Sequence, residues 1–286
     1  MHSPTARPLL SQAALDNLHQ VDALDERGRP RAVQIAGEAA LTLYLDQQEV
    51  VTLMTLGLQP ERLVLGYLWN QGLIERLDQV RAVQVDWSVH AAAVVTHRGV
   101  GDLSAKLAHR TVTTGCGQGT IFGDLMARID RIQLPAQPLR QSDLYALLDN
   151  LGQQNEIYRQ AGAVHGCALC RGTEVLSFVE DVGRHNAVDT LAGEMLLEGI
   201  DGADLIFYTT GRLTSEMVIK VTQMGIPVLL SRSGVTYMGL ELAEVTGVTM
   251  IARAKGRHFL VYHGSENVVF DAPPDPRPVS GAASRD

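Results

Sequence analysis

With 286 residues, 45% of them apolar and 20% charged, the chain has the length for one large or two ordinary domains and the composition of a globular protein with a real core. Its 24 basic and 32 acidic residues give a net charge of −8, which argues against a general nucleic-acid binder. Any anion site must then be built from a few placed arginines. No apolar run approaches the ~20 residues of a spanning helix, and Met1 to Gln20 lack the apolar core of a secretory signal. Three cysteines do not make an extracellular disulfide framework, so the expectation is a cytoplasmic protein with reduced thiols and no membrane or nucleic-acid partner.

Residues 1–33 are polar and rich in Asp, Arg and Pro, with a short amphipathic piece around Leu15 to Leu24, and read as a flexible N-terminal arm. From there Leu41, Leu43 and Leu45 alternate with Thr42 and Tyr44, and the polar turn Asp46-Gln47-Gln48-Glu49 leads into Val50 to Met54, a hairpin signal. Pro60 opens a helix through Leu63, Leu65, Leu68 and Trp69 that Gly72 ends. Val80 to Val95 alternates again, and a polar, basic stretch leads to Thr113-Thr114-Gly115-Cys116-Gly117-Gln118-Gly119-Thr120. Glycine spacing of this kind lets a backbone approach a ligand, but the lysine of a true phosphate-binding loop is missing. A cysteine on such a loop is reachable, which separates a reactive thiol from a packed one.

Ser142-Asp143 is expected to cap a helix carrying Leu144, Leu147, Leu148 and Leu151, and places a boundary near residue 140. The expected division is an N-terminal domain over 34–140 with the cysteine loop at its end, a C-terminal α/β domain over 141–270, and a disordered tail over 271–286. Within the second domain strands alternate with helices, which predicts a helix-covered α/β sheet. Three successive strand-to-helix loops carry an arginine beside or near a glycine: Gly183-Arg184, Gly211-Arg212 and Arg232 with Gly234. If the strands are parallel, these loops meet at the carboxyl end of the sheet, where open α/β sheets bind ligands. Each feeds a helix N-terminus that favours anions, and arginine adds a fork suited to phosphate.

Asp181 and Asp189 read as a helix N-cap and an exposed helix residue, and His185 as an acid–base or ligand-binding group. His165, Cys167 and Cys170 offer three possible zinc ligands. Their apolar surroundings point instead to a buried element with inert thiols, and the deaminase patterns H-x-E and P-C-x-x-C do not occur.

The stretch Glu180-Asp181-Val182-Gly183-Arg184-His185-Asn186-Ala187-Val188-Asp189 closely resembles the signature of the formate dehydrogenase accessory sulfurtransferase family, FdhD with NarQ. The likeness continues through Gly211-Arg212 with Ser215-Glu216-Met217-Val218, through Ala163-Val164-His165 and through Thr114-Gly115-Cys116-Gly117, and covers about Glu38 to Tyr262. It implies a smaller N-terminal α+β domain, a cytidine-deaminase-like C-terminal α/β domain, and a homodimer. It further implies a sulfur carrier that receives persulfide sulfur from a cysteine desulfurase. That sulfur goes to the molybdenum of bis-molybdopterin guanine dinucleotide before the cofactor enters formate dehydrogenase. Cys116 then corresponds to the persulfide-bearing cysteine, and a guanine nucleotide is the natural surrogate ligand. The loops make Arg184, His185, Gly211, Arg212 and Arg232 the cofactor-binding candidates, and the resemblance adds the segment Arg253-Ala254-Lys255-Gly256-Arg257-His258, which lacks one glycine of the family's usual pair. Gly119 stands where family members commonly carry a second loop cysteine. That departure makes a non-catalytic cofactor chaperone the alternative to a single-cysteine relay.

Overall fold

The computed structural model describes residues 7–101, 103, 129 and 131–274. Its first half contributes Leu9–Leu10 (β1), Leu18–Leu24 (β2), Pro30–Ala36 (β3), Ala39–Leu45 (β4), Gln48–Thr55 (β5), helix Pro60–Asn70 (α1), Val80–Asp86 (β6) and Ala91–Thr96 (β7). β4 and β5 form the predicted hairpin. Asp46 and Gln47 connect them with φ of 45° and 72°, the two successive positive values of a tight hairpin turn that suits the strands' twist. Leu41, Leu43 and Leu45 are fully buried because alternate residues of β4 face one side. They pack with Leu63, Leu65 and Leu68 of α1 over the sheet β1-β6-β7-β4-β5.

The arm expected over residues 1–33 carries regular structure from Leu9 onward. β1 pairs in parallel with β6, and Glu61 accepts hydrogen bonds from the Ser11 hydroxyl and the Ala13 amide. β2 and β3 form a separate antiparallel ribbon. Its side chains are mostly exposed on both faces, so no burial period marks it in the sequence.

The second half contributes Leu139–Arg140 (β8), Gln141–Gln154 (α2), Glu156–Ala161 (α3), His165–Arg171 (β9), Glu174–Asp181 (β10), Arg184–Glu198 (α4), Ile206–Thr209 (β11), Ser215–Gln223 (α5), Val228–Ser231 (β12), Tyr237–Thr246 (α6), Thr249–Lys255 (β13), His258–His263 (β14) and Val268–Val269 (β15). Strand order in the sheet is β10-β9-β11-β12-β13-β14. β11, β12 and β13 are parallel, and β9 runs antiparallel to both its neighbours. β10 therefore points the same way as β11 and β12. Phe207 faces one core with residues of α4, α5 and α6, whereas Ile206 and Tyr208 face another with Leu144, Leu147 and Leu151 of α2. The sheet is thus covered on both faces.

Two termini differ from expectation. The α2 N-cap is Arg140, not Ser142. Asp271, expected in the disordered tail, accepts the Ser142 amide at 3.0 Å and hydroxyl at 2.8 Å and pairs with Arg140 at 2.8 Å. These donors hold its carboxyl down to about 2. The cap is supplied from across the chain, a relation that local sequence does not carry. No helix among the described residues is long and apolar enough to cross a membrane.

The halves meet along α1 and α4. A Cβ added at Gly66 would lie 1.7 Å from the Asp189 carbonyl oxygen, and one at Gly193 would lie 1.9 Å from that of Arg62. Only glycine allows the two helix backbones to approach this closely.

Candidate functional site

Because β10, β11 and β12 share a direction, their carboxyl ends share an edge, and the three arginine loops follow from them there. Thr210 donates its amide to the Gly166 carbonyl at 2.9 Å, and Arg232 donates its amide to Thr209 at 3.1 Å. The Leu213 amide bonds the Gly234 carbonyl at 3.0 Å, and the Ser231 hydroxyl bonds the Gly211 carbonyl at 2.6 Å. Arg184 begins α4, and its side chain lies against Gly211, where a Cβ would come 2.8 Å from Arg184 Cδ. Gly211 thus leaves room for the Arg184 side chain. Arg212 and Arg232 are exposed on their loops.

The 253–258 segment reaches the same edge in part. Arg253 donates its amide to the Ser233 carbonyl at 2.8 Å with φ of 52°, a conformation costly for a side-chain-bearing residue. Ala254 is buried in the core on the α2 face of the sheet. Lys255, Gly256, Arg257 and His258 are exposed where β13 turns into β14. Arg257 stacks its guanidinium 4.9 Å from the Tyr145 ring centroid on α2.

A cavity of about 300 Å³ opens beside these loops, lined by Asn155, Tyr158, Val164, His165, Thr210, Arg232 and Ser233. His165 opens β9 between β10 and β11, so it enters the site from the opposite chain direction. Burial holds its imidazole below its ordinary value, and the charges of Arg184, His185 and Arg212 act the same way.

Beneath the loops runs a buried polar chain. His185 Nδ1 is 2.9 Å from Glu216 Oε1, Lys220 Nζ is 3.8 Å from Glu216 Oε1 and 2.7 Å from Asp189 Oδ2, and Asn70 Nδ2 donates to Asp189 at 2.7 Å. Asp189 is 2% exposed, not the exposed helix residue expected, because α1 covers that face of α4. Asp181 is not the N-cap of α4, which is Gly183. It accepts the Thr55 hydroxyl, the Leu56 and Gly183 amides and the Asn186 side-chain amide. Burial pushes both aspartate carboxyls up, and these donors oppose it. Glu180 accepts the Ile157 and Tyr158 amides, fixing the α3 wall of the cavity.

Cys167 and Cys170 are buried, and burial pushes both thiols up to about 12. They lie three apart on a strand and face opposite cores. No cluster of three metal-ligating side chains occurs among the described residues. Cys116 and Gly119 lie outside the described residues. The polar chain was not legible as a unit, since Asn70 on α1, Asp189 on α4 and the Glu216–Lys220 pair on α5 come from distant segments. Asn155 and Tyr158 carried no signal either.

Fold and site define a mixed α/β protein with distinct N- and C-terminal regions, whose arginine-bearing loops gather at one edge of the second sheet. The chain matches the FdhD/NarQ family over residues 36–269 and belongs to that family. It is similar to "Sulfur carrier protein FdhD" of Wolinella succinogenes, with 28% identity over 236 residues covering 81% of each chain. It is similar to the protein of that name in Listeria monocytogenes serotype 4b, with 29% identity over 239 residues, 82% of this chain and 91% of the other. In fold it resembles a crystal structure described as a formate dehydrogenase accessory protein from Desulfotalea psychrophila. The TM-score is 0.70 at 24% identity, covering 88% of this chain and 98% of that one.

Proposed function

We propose that this chain is a sulfur carrier in the maturation of a molybdenum enzyme, formate dehydrogenase. The reading rests on family membership and on one observation: Arg184, Arg212, Arg232 and Arg253 stand on neighbouring segments at a single sheet edge beside a cavity. Such an edge suits a ligand with several phosphates. The cargo is the molybdenum cofactor, in its bis-molybdopterin guanine dinucleotide form. The residues proposed to hold it are Arg184, His185, Gly211, Arg212 and Arg232, with Arg253 to His258.

In this mechanism the Cys116 thiolate attacks the outer sulfur of a persulfide on a cysteine desulfurase. A new sulfur–sulfur bond forms on Cys116, and the donor cysteine leaves as a thiolate. The outer sulfur would then pass to the cargo's molybdenum as the sulfur–sulfur bond on Cys116 breaks and Cys116 leaves as a thiolate, the electron pair that reduces the sulfur coming from a reduced metal centre of the cargo. The loops hold and orient the cargo while this happens. Neither Cys167 nor Cys170 suits the role of second thiol, since both are buried with raised values. These observations support a single-cysteine relay. Division at residue 140 into a 34–140 domain and a cytidine-deaminase-like 141–270 domain, a homodimeric state and a cytoplasmic location are parts of the same proposal.

The test is transfer of labelled sulfur from a cysteine desulfurase to the purified chain, followed by activation of a sulfur-deficient formate dehydrogenase. Cys116→Ala should fold, bind a guanine nucleotide and carry no sulfur. Full activation by Cys116→Ser would instead favour the non-catalytic cofactor chaperone.

A further inference from the structure

We propose that His165 is a specificity-determining ligand of this site, binding the anion as an imidazolium after taking up a proton during association. The inference rests on the reading of the sheet edge as a phosphate-binding edge, and it adds a residue and a proton to that reading.

The placement of His165 is built rather than incidental. The chain leaves α3 through Gly162 and Ala163, with φ of 63° and 51°, and enters β9 at His165. A left-handed conformation at a residue with a side chain costs about 1–2 kcal/mol, so the surroundings must enforce it. The next residue, Gly166, is fixed on both sides of its backbone by Thr210. Its amide donates to the Thr210 hydroxyl at 3.1 Å, and its carbonyl accepts the Thr210 amide at 2.9 Å. His165 is thereby locked beside the loop that carries Gly211 and Arg212. It lines the same cavity as Arg232 and Ser233.

Apart from the Glu180 and Asp181 carboxylates of β10, both taken up by other donors, the groups around it are cationic or neutral. Arg184 and His185 act on it from α4 and Arg212 from the loop after β11. Arg232, from the loop after β12, and Tyr158, from α3, share the cavity. Asp181 is its backbone partner on β10, but that carboxylate already accepts four donors from Thr55, Leu56, Gly183 and Asn186. The protein's own groups therefore disfavour an imidazolium, through burial first and neighbouring positive charge second. A phosphate anion reverses both influences. It offsets the arginine charges and offers an acceptor for a charged donor, so the imidazole gains a proton as the ligand binds. By linkage the affinity then falls with rising pH, by up to about tenfold per unit across the interval where free His165 is neutral and bound His165 charged. Neutral polar ligands produce no such uptake.

The probe is a guanine dinucleotide joined by a pyrophosphate diester, whose phosphates do not titrate over about pH 5.5–8.5. Its affinity is measured by calorimetry across that range in two buffers of different ionisation enthalpy, with the full chain. Expected is tighter binding at low pH with proton uptake in the wild type, and loss of both in His165→Asn. His165→Gln serves as a second variant, and melting curves establish that each folds. The imidazole proton resonance of His165 should titrate below the ordinary histidine range in the free chain and above that position in the complex. A pH-independent wild-type affinity overturns the proposal, as does a pH slope that survives in both variants. A wild type that binds the probe at no pH removes the phosphate-edge reading itself, a different and recognisable outcome.

Discussion

The Thr55 hydroxyl donates to Asp181 Oδ2 at 2.5 Å, joining the end of the N-terminal sheet to the start of the first arginine loop across 126 residues of chain. The Leu56 amide reaches the same oxygen at 3.1 Å, and Asn186 donates from the loop's far side to the Met54 carbonyl at 2.7 Å. The segment that presents Arg184 is thus also the segment that docks the two regions of the molecule. Thr55→Val keeps shape but removes one donor from a buried carboxylate and the acceptor of the Gly57 amide. It should cost about 1–3 kcal/mol, read from urea unfolding, and should speed amide exchange at Gly183. A variant of wild-type stability would mean that the contact is not formed in solution.

The crossing of α1 and α4 gives a sharper contrast. Gly66→Ala and Gly193→Ala each drive a methyl group into a backbone carbonyl that cannot rotate away. Each should destabilise by about 3 kcal/mol or more, the upper range for overpacking. Gly152, inside α2, has nothing within 4 Å of an added Cβ. Gly152→Ala should stabilise by about 0.5–1 kcal/mol, because alanine surrenders less backbone freedom on folding. Thermal melts of the three variants decide it, and equal effects at all three would refute the close crossing.

Acid should weaken the fold through His185. Its imidazole is held below the ordinary value by burial, with Glu216 opposing and Lys220 and Arg184 reinforcing. Below about pH 6.5 the unfolded chain binds a proton that the folded chain refuses. Its contribution is therefore complete above that pH and is lost as pH falls toward the folded value. Asp181 and Asp189, raised by burial, act in the opposite sense over the interval from the carboxylate range up to their raised values. The comparison is accordingly between wild type and His185→Gln, which keeps a donor for Glu216 but does not titrate. Urea midpoints from pH 5 to 8 should fall more steeply with acid in the wild type.

Local period and spacing carried much of this architecture. The alternation of Leu41, Leu43 and Leu45, the proline-opened helix at Pro60, and the regular strand–helix alternation after Glu174 all have counterparts in the structure, because each element buries one face. The ribbon Leu18–Leu24 with Pro30–Ala36 buries neither face fully, so it left only a short amphipathic piece and no strand period. Asp271 capping α2 and Asn70 meeting Asp189 are pairings between distant segments, for which a single sequence offers no periodic cue. At the site, Arg184, Gly211 and Arg232 were legible because a parallel sheet forces its loops to one edge. Asn155 and Tyr158 were not, since α3 becomes a wall only when Glu180 accepts the amides at its start.

Thiol reactivity should divide the three cysteines. Cys167 sits wholly in the core, with its Sγ 3.3 Å from the Thr209 hydroxyl oxygen, and Cys170 packs on the sheet's other face. Burial pushes both to about 12, against about 8.5 for a free thiol. Their thiolate fraction at neutral pH is then lower by more than about a thousandfold, before access is considered. In the native chain a thiol-specific label should modify the peptide containing Cys116 and leave the other two untouched until denaturant is added. Persulfide delivered by a cysteine desulfurase should follow the same pattern. Peptide mass spectrometry after brief labelling reads both, and sulfur on Cys167 or Cys170 with none on Cys116 would end the single-cysteine relay.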